Sequence, residues 1–250
     1  MSSVSRLATA PFRFLFFALL RAFPESVSGP IVFETKSFVG RLFARRLRVD
    51  PLLNNYMNLG SASDRLDGYV AVDFFSDSAD YGADLRYPLL IDDAVFAGIF
   101  TEHTLEHLSY KEVAGILSEC ERTLKPGGII RIIVPDLSLF VKNYASDNRS
   151  WFQGWEREVL KPRGRSMISP MEAFSFETQE HGHRSAWDFE TMKVFLMRAG
   201  FAEICKCTFR KGSDARLLQD KDAVDRTMIS LYVEARKPTI AAEIAPTAGD

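Results

Sequence analysis

The residues best suited to chemistry in this chain are its four histidines, which stand as two tight pairs. His103 and His107 bracket Glu106 in His103-Thr104-Leu105-Glu106-His107, and His181 and His183 flank Gly182. An imidazole changes charge near neutral pH and can take a proton from a hydroxyl in the course of a reaction. His103 and His107 are therefore the first candidates for a general base, with Glu106 and His183 behind them. The same five residues match the H-x-x-E-H pattern of zinc peptidases, which needs two histidines one turn apart on a helix with the glutamate as base. A zinc hydrolase using His103, Glu106 and His107 is thus a rival reading. The apolar run before His103 reads as a strand reaching Phe100, and the next helix signal falls at Tyr110. That puts the pair in a connection, and no distant glutamate is marked as a third ligand, so no metal is expected.

Around these residues, short apolar runs alternate with polar turns between Asn54 and Pro135, the pattern of parallel α/β architecture. The spacing predicts strands over Tyr56 to Gly60, Tyr69 to Asp73, Val95 to Phe100 and Ile129 to Val134. The last is nearly continuous in β-branched residues, as expected of a central strand covered on both faces. Ser109 and Glu112 form a capping box ahead of an apolar stripe of Val113, Ile116, Leu117, Cys120 and Leu124, which predicts a helix. Pro126, Gly127 and Gly128 then stop that helix and turn the chain into the strand. Only eight residues separate Gly60 from Tyr69, fewer than the dozen or so a parallel crossover normally needs. Either this connection is stripped to a loop or the two strands are not parallel neighbours.

Composition bounds the rest. With 46% hydrophobic and 26% charged residues the chain is of ordinary globular make-up. Residues 1–50 carry eight Lys and Arg against Glu25, Glu34 and Asp50, a net of +5, which leaves −7 for the remainder of a chain whose total is −2. The acidic remainder gives no support for a nucleic-acid-binding face. Cys120, Cys205 and Cys207 form no even framework and no zinc spacing, which fits a reducing, cytoplasmic setting. The apolar run Phe14 to Leu20 between Arg13 and Arg21 is too short to span a bilayer and lacks a small-x-small cleavage site before Pro24. With the basic stretch Phe38 to Leu47 it makes residues 10–48 a candidate for peripheral membrane contact at the inner face. Nothing in the sequence fixes an oligomeric state.

Several of these segments, taken in order, resemble a known family: Met57-Asn58-Leu59-Gly60-Ser61, Gly68 to Asp73, Ala83-Asp84-Leu85, Thr101 to Leu108 and Leu124 to Gly128, followed by His181 to Asp188, Ala199-Gly200-Phe201 and Ser230 to Ala235. The resemblance is to class I S-adenosylmethionine-dependent methyltransferases of the type 11 group, in the branch with a short first crossover. It covers about residues 54–236. It implies a doubly wound, mostly parallel seven-stranded sheet of Rossmann-like kind. An N-terminal helical extension would occupy residues 1–50 and the methyltransferase domain 51–236, with an acceptor-side insertion over 144–187 and a disordered tail over 237–250. The cofactor implied is S-adenosylmethionine. By resemblance Asn58, Gly60 and Ser61 meet its methionyl part, Asp73 with Phe74 its ribose, and Asp84 with Leu85 its adenine, while Thr101, Glu102 and His103 lie near the reacting methyl. The acceptor implied is a small molecule, a sugar or a lipid-linked compound. In the insertion, Trp151, Phe152, Trp155, Phe174 and Phe176 either close an acceptor pocket, with Lys161, Arg163 and Arg165 for an anionic group, or pack against the core. The sequence departs from the family at Ala62, where a second glycine is expected. A binding module that keeps the fold without catalysis is the alternative that departure raises.

Overall fold

A computed structural model describes residues 23–53, 55–74 and 76–239. The apolar run Phe14 to Leu20 and the tail beyond residue 239 lie outside the described residues. The chain divides after Ala44 into two compact units. Of the first, the described part is one helix, α1 (Glu25–Leu42), which starts after Pro24 and carries Pro30 within it. Phe38, Leu42 and Phe43 are exposed at its C-terminal end. Among the described residues no helix is long and apolar enough to cross a membrane.

The second unit is built on seven strands: β1 (Asn55–Leu59), β2 (Tyr69–Asp73), β3 (Tyr81–Gly82), β4 (Phe96–Glu102), β5 (Leu124–Pro135), β6 (Ala202–Cys207) and β7 (Ser230–Arg236). They lie in the order β3-β2-β1-β4-β5-β7-β6. The sheet is mixed: β7 runs antiparallel to both β5 and β6, and the other neighbouring pairs are parallel. Between β4 and β5 stands α2 (Tyr110–Thr123), started by the capping box in which the Glu112 carboxylate accepts from the backbone N–H and hydroxyl of Ser109, each at 2.7 Å. Its apolar stripe, Val113, Ile116, Leu117 and Cys120, is fully buried on one face of the sheet together with Met192 and Leu196 of α6 (Phe189–Arg198).

The opposite face is covered in an unusual way. β1 and β2 are parallel neighbours, with Tyr56 opposite Tyr69 and Leu59 opposite Val72, so the connection between them is a bare loop. The covering comes instead from the connection between β6 and β7. Leu217 of that segment is fully buried against Tyr56, Tyr69, Phe100, Ile133 and Tyr232. The Tyr56 hydroxyl donates to Asp214 at 2.6 Å, the Tyr69 hydroxyl donates to the Arg216 carbonyl, and the Arg216 guanidinium stacks 4.0 Å above the Tyr56 ring. Gly98 makes room for this, because a Cβ there would stand 2.6 Å from the Tyr56 ring. Deeper in, Arg131 of β5 is wholly buried and holds Asp220 of the same connection at 2.5 Å and Glu234 of β7 at 2.9 Å.

After β5 the chain enters α3 (Leu137–Ala145), α4 (Arg149–Trp155) and α5 (Pro170–Gln179). These close around their own apolar centre of Phe140, Phe152, Trp155, Leu160 and Phe176. A short helix, α7 (Val224–Ile229), leads into β7.

Candidate active site

The strand order reverses between β1 and β4, since the chain first proceeds outward from β1 to β2 and β3 and then crosses to β4. In open α/β sheets the crevice at the carboxyl ends of such a reversal is where ligands sit. Here the loop leaving β1 is fastened to the end of β2. Gly60 and Ser61 donate their N–H groups to the Val72 carbonyl at 2.8 and 3.1 Å, and Ala62 donates to Asp73 Oδ2 at 2.9 Å. The other Asp73 oxygen accepts from the Ser76 N–H at 2.9 Å. Ala62 has φ +48°, the left-handed region that glycine enters freely and alanine only at a cost. Ala62 thus holds a backbone shape that a glycine would take without strain. Gly60, at φ +73°, has a further reason to lack a side chain: a Cβ would overlap the Thr104 side chain from the loop after β4.

One strand further out, Ala83 N–H reaches the Asp73 carbonyl at 3.3 Å, so Gly60, Asp73 and Asp84 come from neighbouring strand ends. Asp84 is buried, with both carboxylate oxygens bonded to Arg86, from Nε at 3.0 and 3.1 Å and from Nη2 at 2.7 Å. Leu85 and Phe74 are half-buried. A cavity of about 400 Å³ opens on the face bearing Asn58, Gly60, Phe100 and Glu102, with Lys221 of the β6–β7 connection on its wall. It takes in Asn58, Gly60, Ser61 and Glu102 of the residues implicated by sequence, while Asp73 and Asp84 are not part of its lining. At the end of β4, Thr101 Oγ1 and Glu102 Oε2 are buried and make no hydrogen bond among the described residues. Burial pushes the Glu102 carboxyl above the usual carboxylate range, with Arg226, His103 and Lys221 opposing it.

Beyond β4 the chain turns sharply at His103, φ +49°, and forms a single 3-10 turn, Leu105–His107. The His103–His107 pair therefore lies in the connection and the regular helix begins at Tyr110, as the capping box indicates. His103 Nε2 shares a hydrogen bond with Ser230 Oγ at 2.9 Å, and its Nδ1 stands 3.2 Å from Glu106 Oε1. Glu106 is fully buried; burial opposes its charge, but the neighbouring His103 and His107 prevail and hold it below its ordinary range. The insertion returns to this point, because Arg184 and Ser185 donate their N–H groups to the Glu106 carbonyl at 2.7 and 3.1 Å. That anchor brings the His183 ring to 5.0 Å from His107, with His181 at 6.1 Å from His183. Burial pushes both His107 and His181 below the usual imidazole range. His103, His107 and His183 thus gather around one buried carboxylate, with His181 beyond His183, and the arrival of His183 is a convergence that no local signal in the sequence announces.

The basic residues of the insertion are spent on acids: Arg165 pairs with Glu180 at 2.6 Å, Lys161 with Glu156 at 3.4 Å and Arg163 with Asp225 at 3.6 Å. Phe152, Trp155 and Phe176 are buried in packing, whereas Trp151 and Phe174 lie half-buried against them.

Residues 66–132 match the family model described as a methyltransferase domain, of the type 11 group. No curated protein matches the chain. Among solved structures it is similar to Haemonchus contortus phosphoethanolamine N-methyltransferase 2 in complex with S-adenosyl-L-methionine, at 13% identity over 80% of this chain and 51% of that one, TM-score 0.45. A second is a Thermotoga maritima S-adenosylmethionine-dependent methyltransferase described as a possible histamine N-methyltransferase, at 12% identity over 90% and 94%, TM-score 0.43. A third is a methyltransferase of the same cofactor class from Archaeoglobus fulgidus, at 15% identity over 90% and 100%, TM-score 0.41. The chain spans about half the length of the Haemonchus protein.

Proposed function

We propose that the protein is a methyltransferase that moves a methyl group from S-adenosylmethionine to a small-molecule, sugar or lipid-linked acceptor. The observation that carries this reading is the fastening of the Gly60–Ala62 loop onto Asp73, at 2.9 Å, where the strand order reverses. With the cofactor in that crevice, Asn58, Gly60 and Ser61 would face its methionyl part and Asp73 with Phe74 its ribose. Leu85 would cover the adenine, and Thr101, Glu102 and His103 would border the reacting methyl. The residues fit such a group: the buried Thr101 Oγ1 and Glu102 Oε2 lack hydrogen-bond partners among the described residues, as atoms reserved for a ligand do. Asp84 is engaged by Arg86, so its contribution is to shape the adenine wall.

The cofactor supplies an electrophilic methyl on a sulfonium. The chain's part is alignment, which can account for roughly 7–11 kcal/mol of barrier lowering, and removal of the acceptor's proton, a factor of about 10²–10⁴ in rate. His103 would take that proton; its position directly after β4, beside the end of the strand that carries Thr101 and Glu102, supports this role. For the first unit, exposed Phe38, Leu42 and Phe43 beside Arg41 support peripheral contact with an anionic membrane surface.

Titration calorimetry with S-adenosylmethionine and with S-adenosylhomocysteine tests the reading. The chain is expected to bind both, and Asp73→Ala to weaken each by about 10- to 100-fold, the range for losing hydrogen bonds to a charged group. Absence of binding by the parent, or equal binding by the variant, overturns it.

A further inference from the structure

The four-histidine cluster contains more donors than one proton transfer needs. Glu106 is 1% exposed; its Oε1 stands 3.2 Å from His103 Nδ1, and its Oε2 has no hydrogen-bond partner among the described residues. A buried carboxylate with an unsatisfied oxygen favours a further cationic partner. The candidate donors around it are imidazoles whose orientation is already fixed. His183 Nδ1 lies 2.6 Å from the Glu177 carbonyl, and since a carbonyl can only accept, Nδ1 carries a proton and Nε2 is the nitrogen of the neutral ring left to bind an ion. His107 packs edge-on against His183, their ring centroids 5.0 Å apart. Metal-binding histidines are oriented in this way, with one ring nitrogen tied to a carbonyl or carboxylate and the other facing the ion.

We propose that Glu106, His107 and His183 form a binding site for one divalent transition-metal ion of the zinc class. Their ligand atoms lie within 4.8 Å of one another. Bonds of about 2.0–2.2 Å to a tetrahedral ion would set those atoms roughly 3.4 Å apart, so loading draws the farthest of them together by at most about 1.4 Å. His183 belongs to the His181–Gly182–His183 turn, whose first two residues take positive φ of +57° and +76°. The rest of the site is already in register, because the N–H groups of Arg184 and Ser185 bind the Glu106 carbonyl. Two imidazoles and one carboxylate favour zinc over the harder magnesium and calcium. Three protein ligands also leave a fourth position for water or a substrate oxygen, the arrangement of catalytic rather than structural zinc sites. Sequence alone pairs His103 with His107 around Glu106; in the structure both ring nitrogens of His103 are engaged, Nε2 with Ser230 and Nδ1 with Glu106 Oε1, and His183 joins His107 and Glu106 instead. This inference does not depend on the methyltransferase reading.

A second cluster, Cys205, Cys207 and Glu234, also has ligand geometry. There Glu234 is already bonded to Arg131 at 2.9 Å and to the Ser213 N–H at 2.7 Å. The two are separated experimentally by adding zinc or cobalt(II) ions alone to the full chain carrying Cys205→Ser and Cys207→Ser, with binding followed by calorimetry. One equivalent is expected, and His107→Ala or His183→Ala should weaken it at least 100-fold. Cobalt(II) spectra of the unmutated chain provide a readout that needs no variant to fold: four-coordinate bands with no thiolate charge-transfer band are expected. No binding at micromolar ion, binding unchanged in the double histidine variant, or a thiolate band would overturn the proposal.

Discussion

Replacing Arg131 with methionine tests how the sheet is held to the connection that covers it. The guanidinium donates from Nε and Nη2 to the two Asp220 oxygens at 2.7 and 2.5 Å and from Nη1 to Glu234 at 2.9 Å. It also reaches the Lys211 and Thr208 carbonyls, each at 3.2 Å. Arg131→Met therefore leaves two carboxylates, each at most 2% exposed in its side chain, facing each other without a cation. Each keeps one backbone donor, Arg210 N–H for Asp220 and Ser213 N–H for Glu234, both at 2.7 Å. Removing one member of a buried ion pair costs about 3–5 kcal/mol, and with two stranded acids the cost should fall in the upper half of that range. Against a whole-domain stability of roughly 5–15 kcal/mol, that is a large fraction. For a domain of this size each kcal/mol moves the midpoint by about 2–4 °C, so thermal unfolding should shift down by roughly 8–20 °C. Binding to the cavity should fail before global unfolding, because Gln219 and Lys221 on its wall belong to the same connection. Asp220→Asn, which leaves Arg131 paired with Glu234, should cost less. A shift of under about 2 °C for Arg131→Met, equivalent to less than about 1 kcal/mol, would refute the claim that this triad fastens the connection.

Three further outcomes are expected. Ala62→Gly relieves a left-handed alanine worth about 1–2 kcal/mol and adds unfolded-chain entropy of about 0.5–1 kcal/mol, so chemical denaturation should show a small gain; a loss above about 1 kcal/mol would contradict the strain at this loop. Glu102 has its carboxyl raised mainly by burial, so its contribution to stability is present at low pH and lost as pH rises through the folded value. Glu102→Gln should match the parent near pH 4 and exceed its urea midpoint at neutral pH, and a parent more stable at neutrality would reverse that sign. His103→Ala should lower turnover by about 10²–10⁴ with cofactor affinity kept; full turnover in steady-state assays removes His103 as the base.

What was legible in the sequence is what local pattern determines. The second strand, Tyr69–Asp73, falls where its apolar run predicts, and the Ser109–Glu112 box starts α2 at Tyr110. Both depend on residues within a few positions of each other. The alternation of strand and helix signals between Asn54 and Pro135 indicated the α/β class, whereas the short first loop left the pairing of β1 with β2 open, and the structure shows them parallel. What escaped depends on distant partners: Arg131 sits in a run of apolar residues, and its acids lie 89 and 103 positions away. The reversed direction of β7, which lies between β5 and β6, likewise has no local signal, since it depends on pairing with a strand about 100 positions earlier. His183 meets His107 only because the insertion folds back onto the Glu106 carbonyl. The Asp84–Arg86 pair spans two positions and lay within reach of a local reading.

The borrowed cover over β1 and β2 also bears on how the chain must be assembled. Tyr56 finds its hydroxyl partner 158 positions downstream and Tyr69 finds its own 147 positions downstream. During synthesis one flank of the early strands therefore stays bare until the segment around Leu217 has left the ribosome, a long interval in which unpaired apolar surface invites association. A chain cut short just before Thr208 would keep most of its strands and still be unable to shield their outer flank. It should accumulate in aggregates or on chaperones.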